Sequence, residues 1–301
     1  MSCGRFRLIP SARPVEDFAQ TVVSGLLLGA LLSLIAVGLT LIFGVVDIVN
    51  FAHGEFVMAG MYVAFFSWSL FDLDPLVSLP LSALAVGLVG VIAYATFVRH
   101  ALRGTLLSQI FVTFGLLIFL RGTAQWLFTS NFRGIQNSVL TGLGFSVGGI
   151  SLPGPQLAAA IGSLIGTGAL GWFVFRTRAG KALRATSQDR EAAAMIGINP
   201  HRMFALAWFL GGCATGAAAG LVAAYQPVHP NAGVAFGLTA FVIVALGGFG
   251  SIAGAFIAAF LVGLLENVAG FYLPAEYKDL WIFLLFLVVV LVRPQGLLGT
   301  R

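Results

Sequence analysis

Residues 176–202 read RTRAGKALRATSQDREAAAMIGINPHR, and the reading of this polar stretch decides the fold around it. It holds six of the sixteen Lys and Arg residues (Arg176, Arg178, Lys181, Arg184, Arg190 and Arg202) in a chain that is 59% hydrophobic. Long apolar segments run up to it and away from it. Charged residues make up 9% of the chain, whereas a soluble domain carries about 25%. A soluble core of this length would need a polar surface that is missing here. The apolar runs are continuous and exceed the alternating ~10-residue segments of a β-barrel. The composition therefore predicts an all-α, polytopic transmembrane helical bundle, a single domain over residues 1–301 with 176–202 as a cytoplasmic loop within it. The net charge of +5 lies mostly in loops, where the positive-inside rule puts it, and does not call for nucleic acid. Cys3 and Cys213 are too few and too far apart for a disulfide framework or a metal site.

Apolar windows mark nine candidate spans, at 18–46, 52–71, 76–98, 105–128, 156–175, 203–225, 234–247, 252–273 and 279–292. The seventh and ninth are short against the ~20 residues a crossing helix needs. With 176–202 fixed in the cytoplasm, parity places Arg99 and Arg103 inside, Asp72 and Asp74 outside, the polar 129–155 loop outside, and Arg293 and Arg301 inside. Ten of the sixteen positive residues are then cytoplasmic. The same count puts the N-terminus outside, against the pull of Arg5, Arg7 and Arg13. It also divides the chain into four spans, one span and four spans. An odd connector between two four-helix halves makes them opposite in orientation, the topology of an inverted-repeat transporter.

Asp47-Ile-Val-Asn50-Phe-Ala-His53-Gly54-Glu55 sets four polar or ionisable groups between two apolar spans. Such groups cost about 2.5–3.5 kcal/mol each at the membrane centre and mark function there. Two readings are open: a broken helix facing the bundle interior, which would shape or gate a path, or a short cytoplasmic turn with Asp47, Asn50 and Glu55 wet or capping the next helix. His53 has no second His or Cys at ligand spacing, so no metal site is expected. Leu246-Gly-Gly248-Phe-Gly-Ser-Ile-Ala-Gly254 is a glycine-rich connection; it lacks the Lys and the strand–helix context of a phosphate loop. Glu266 lies inside the eighth span, either as a gate or near the outer water.

Within the polar stretch, Lys181 to Ile196 can form one helix, with Ala192, Met195 and Ile196 on one face. Gly197 can end it, and Asn199-Pro200 enforces a break before the next span. A short amphipathic helix of this kind suits either a groove in a partner protein or the headgroup layer.

Glu191-Ala192-Ala193-x-x-x-Gly197 resembles the signature loop of ABC importer permeases, which docks on the ATPase subunit. More of the chain is similar to the Liv-type permeases for branched-chain amino acids. The matching stretches are Gly38-Leu-Thr-Leu-Ile-Phe-Gly44, Asn50-Phe-Ala-His-Gly-Glu55, Arg184 through Asn199, Leu246 through Gly254, Glu276-Tyr-Lys-Asp279 and Arg293-Pro-Gln-Gly-Leu-Leu-Gly299. The Ile-x-Leu-Pro that closes the wider signature is absent. The resemblance implies a permease subunit in a bacterial inner membrane, not an enzyme. Its partners would be a second homologous permease, two cytoplasmic ATPases and a periplasmic substrate-binding protein, with lipid around it. No Walker motif occurs, so ATP would be bound by the partner and this chain would carry no cofactor. Asp189, Glu191, Ala192, Gly197 and Ile198 are the expected ATPase contacts; Asn50, His53, Glu55 and Gly248 are expected near the substrate pathway. Permeases for urea or short-chain amides are close relatives and give the alternative substrate. An ion-coupled secondary transporter, with His53, Glu55 and Glu266 as coupling groups, is the rival mechanism.

Overall fold

The computed structural model describes residues 14–136, 138–272, 278–293 and 295–299. Cys3, Arg5, Arg7, Arg13, Glu276, Pro294 and Arg301, named above, lie outside the described residues. The elements are α1 (Pro14–Val46), α2 (His53–Phe71), α3 (Pro75–Ala93), which runs through a π-helical turn (Tyr94–Val98) into α4 (Arg99–Ala101), and α5 (Leu106–Phe128). A hairpin of β1 (Gly144–Val147) and β2 (Ile150–Pro153) follows, then α6 (Gly154–Arg176), α7 (Arg178–Gln188), α8 (Arg190–Met195), α9 (Pro200–Val222), α10 (Ala232–Gly247), α11 (Ile252–Tyr272) and α12 (Lys278–Val292). Each of the nine apolar stretches forms a helix. Seven are long and apolar enough to cross a membrane; α10 and α12 are the short ones, as their windows predicted.

α1 is the centre of the bundle. From Ala30 to Ile42 its side chains are almost all buried. It packs along α11 and against α9, α6 and α10, while α9 packs along α3 and against α2. The closest crossings are made by glycines. A Cβ at Gly29 would come within 2.8 Å of Phe260 Cα on α11, and one at Gly212 within 2.7 Å of the Val86 carbonyl on α3. Small residues at such crossings let helices gain dispersion contact where no hydrophobic effect drives them together.

Two local expectations are corrected. The 129–155 segment is not a plain loop: residues 144–153 pair as an antiparallel hairpin turned by Gly148 and Gly149, both at positive φ. The Gln20 side chain docks this hairpin on α1, accepting from Ser151 N–H (2.6 Å) and donating to Ser151 C=O (2.8 Å), as a third strand would. And Lys181–Ile196 is not one helix. Asp189 is extended (φ −152°, ψ 112°) and splits it into α7 and α8. Its carboxylate accepts from the N–H groups of Glu191 and Ala192, both at 2.9 Å, so Asp189 serves as an N-cap instead of continuing the helix.

Candidate functional site

α1 fixes the depth of everything else. At 1.5 Å per residue its 33 residues span about 50 Å. Its early end carries the hairpin through Gln20, and its late end meets the polar stretch, since Arg190 donates to the Val46 carbonyl at 2.7 Å. After Val46 the chain turns back. Asp47 sits at φ +59°, which few non-glycine residues adopt. Asn50 Oδ1 accepts the Ala52 N–H (3.1 Å), closing a side-chain turn that leads into α2. His53, the first residue of α2, then lies beside Ile35 of α1. Ile35 is eleven residues, or about 16 Å, above the end of α1. α2 therefore begins inside the bundle, about a third of the way back along α1 from its late end, not in a turn beyond the helix ends.

α10 begins at the same level. Gly54 packs on Gly233 and Gly237 so closely that a Cβ on Gly54 would overlap the Gly233 carbonyl. The other end of α10 is tied to the C-terminal segment by Leu297 N–H donating to Leu246 C=O. α2 and α10 thus meet by their N-terminal turns and run away from each other, each carrying the positive end of its dipole to the meeting point.

The polar residues of 47–55 separate into two groups. His53 is buried at the α1–α2–α9 junction. Its Nε2 lies 3.0 Å from Ile35 O and 3.0 Å from Thr215 Oγ1, and the Thr215 hydroxyl donates to Gly211 O at 2.8 Å. With the threonine proton committed to Gly211, the fitting tautomer carries its proton on Nε2 and donates it. His53 thereby staples three helices. Asn50 and Glu55 instead line a cavity of about 290 Å³ between α1, α2, α5 and α10. Glu55, 1% exposed, accepts at Oε1 from both Nε (3.1 Å) and Nη2 of Arg121 on α5. Among the described residues, its Oε2 is buried without a partner, as is the Asn50 amide nitrogen. Arg121 escaped the sequence reading. The available signal was that it is the one ionisable residue in the apolar window 105–128.

Gly248 is elsewhere, at φ +103° in the α10–α11 turn, packed against Gln295 and Gly299. Glu266 lines an outer depression with Gln20, Thr21 and Ser24 of α1, well over a turn from the cavity. His53, Glu55 and Glu266 do not form one cluster.

The polar stretch is built by its caps. Thr177 Oγ1 accepts the Gly180 N–H (2.9 Å) to open α7. Gly197 (φ +88°) closes α8 with a Schellman turn, in which Ile198 N–H bonds Ala193 O and Gly197 N–H bonds Ala194 O, both at 3.0 Å. Asn199 Oδ1 then caps α9 at the Arg202 N–H, with Pro200 in the first turn. Ala193 faces inward, whereas Glu191 and Ala192 are exposed and Met195 and Ile196 stand 82% and 75% exposed. Arg190 lies over the Phe204 ring (5.2 Å) while it holds Val46, so α8 is fastened to the end of α1 and the start of α9.

A multi-pass bundle of helices long and apolar enough to cross a membrane, with a largely apolar cavity holding Asn50, Glu55 and Arg121 where two helix starts meet, has the architecture of an integral membrane protein. The family model described as branched-chain amino acid transport system / permease component matches residues 21–290, and the chain belongs to that family, which is one of transport permeases and not of enzymes. It is 32% identical over 297 residues to the high-affinity branched-chain amino acid transport system permease protein BraD of Pseudomonas aeruginosa, covering 95% of this chain and 97% of that one. It is 33% identical to the permease protein LivH of Salmonella typhimurium (94% and 96% covered) and 26% identical to a probable LivH of Methanocaldococcus jannaschii (95% and 94%). These relatives are named as permease proteins of transport systems, so the chain is one component among several. No solved structure matches.

Proposed function

We propose that this chain is the permease subunit of an ATP-driven importer for branched-chain amino acids. A second, homologous permease would complete the membrane unit. Two cytoplasmic ATPases would dock on α7–α8, and an extracytoplasmic binding protein would deliver the substrate. The observation that carries the coupling role is the exposure of Met195 and Ile196 on a helix whose other side is fastened to α1. An apolar knob on an otherwise polar surface loop is what a partner groove takes up. Asp189, Glu191, Ala192, Gly197 and Ile198 define that knob through its caps and flanks. A push on α8 passes through Arg190 to Val46, and from there into the 47–55 turn beside the cavity.

Alternating access by two opposed halves belongs to the same proposal. Its support is the packing scheme: exchanging α1 with α9, α2 with α10 and α3 with α11 turns the α1–α11 pair into the α9–α3 pair and leaves α2–α10 in place. The hydrolysis step resides in the partner ATPases. The test is reconstitution with those subunits and the binding protein. Leucine uptake should require ATP, and Glu191→Arg or Gly197→Trp should leave ATP hydrolysis running while uptake falls. Normal uptake in both variants, or uptake by this chain alone on an ion gradient, would overturn the reading.

A further inference from the structure

We propose that the cavity between α2, α5 and α10 is a binding site for the zwitterionic head of an α-amino acid, with Arg121 and Asn50 taking the carboxylate and Glu55 the ammonium. The proposal rests on the importer reading above and narrows it, because urea and simple amides carry no such pair of charges.

The donors and acceptor are already sorted by sign. Arg121 gives Nε–H and one Nη2–H to Glu55 Oε1. The rest of its five N–H groups remain for a ligand. The Asn50 amide nitrogen is a donor, buried and, among the described residues, without a partner, while its Oδ1 is spent on Ala52 N–H. The starts of α2 and α10 add two positive dipole ends. All of these favour a carboxylate, and Arg121 offers it the planar, charge-assisted bonds that guanidinium groups make best. Against them stands one acceptor, Glu55 Oε2, buried and, among the described residues, empty-handed. A buried carboxylate oxygen that finds no donor calls for an explanation, and an ammonium supplies one. The ligand adds to the ion pair without breaking it, so the site gains hydrogen bonds and its net charge stays unchanged. An isolated cation or anion would leave one sign unmatched in a low-dielectric setting.

The remaining walls set the side-chain class. Leu39, Phe114, Leu117, Leu238 and Phe241 are apolar, and about 290 Å³ is at the small end for a ligand pocket. A short aliphatic chain fits these walls, and a charged one does not.

The test uses the assembled complex without the binding protein, so that the membrane site is read directly. Radiolabelled leucine is the probe, with 3-methylbutylamine and 4-methylpentanoate as competitors that each lack one end of the zwitterion. Leucine should bind and be displaced by leucine but by neither analogue. Glu55→Gln and Arg121→Gln should each weaken binding about tenfold or more. Leu117→Trp, which narrows the cavity while keeping both charged side chains, should weaken it too and serves if the charge variants fail to assemble. Displacement by the amine or the acid alone, or wild-type binding in Leu117→Trp, would overturn the site. In the same preparation with the binding protein restored, wild-type ATP-driven leucine uptake reports separately on the importer reading. Uptake with unaltered binding in the variants sinks only the site; absence of uptake sinks the importer reading and the site with it.

Discussion

Arg190 reaches across the molecule to a residue 144 positions away in the sequence. Its guanidinium holds the last carbonyl of α1 and covers Phe204 at the start of α9. A charge-assisted bond to a backbone carbonyl is worth about 1.5–3 kcal/mol, and here it is the shortest route from the exposed knob to the re-entrant turn. Arg190→Ala should therefore leave the membrane bundle assembled and reduce the number of leucines moved per ATP hydrolysed. The ratio of uptake to hydrolysis in proteoliposomes measures it; an unchanged ratio would remove Arg190 from the transmission path. At this scale the sequence was only partly legible. Asn50 and Glu55 could be singled out because ionisable groups between apolar runs stand out. Arg121 lay in plain view but was passed over, because what it pairs with depends on packing between α2 and α5. His53 was chosen for the same reason as Glu55, yet it spends its Nε2 on Ile35 and Thr215. No local pattern tells a staple from a lining residue.

The elements were more legible than their joints. Continuous apolar windows gave every long helix, since a continuous apolar run satisfies its backbone polar groups in lipid by forming a helix. The turn chemistry of Gly197, Asn199 and Pro200 was also readable, because each acts on its immediate neighbours. The break at Asp189 was missed. Helical periodicity runs unbroken from Lys181 to Ile196, and only the carboxylate's bonds to two following N–H groups decide for a cap. The hairpin at 144–153 was missed because a short pair of strands outside the membrane carries little periodic signal. The cap makes a sharp prediction. Asp189→Ala should cost about 1 kcal/mol of local helix stability, fray α8, and lower ATP-coupled uptake, while Asp189→Asn, which caps nearly as well, should restore it. Faster amide hydrogen exchange over 190–196 in the alanine variant is the physical readout. Equal exchange in both variants would mean that Asp189 acts by charge and not as a cap.

For the whole molecule, orientation follows from α1. Its ends carry opposite tokens, the hairpin through Gln20 and the basic α7–α8 stretch through Val46. One helix about 50 Å long cannot return, so these tokens lie on opposite faces. The positive-inside rule weighs six basic residues in 176–202 against Arg5, Arg7 and Arg13 before α1. The larger cluster is also the one closely flanked by spans on both sides. It should win, leaving the start of α1 outside and α7 in the cytoplasm. A membrane-impermeant maleimide decides it in a background lacking Cys3 and Cys213. Ser146→Cys, in the hairpin, should label from the outside of intact cells, and Ser187→Cys, on exposed α7, only after the membrane is opened. The reverse pattern would turn the polar stretch away from the cytoplasm. No ATPase could then reach Met195 and Ile196, the opposed halves would face the other way, and the cavity at the α2–α10 meeting would have to be driven by something other than a partner on α8.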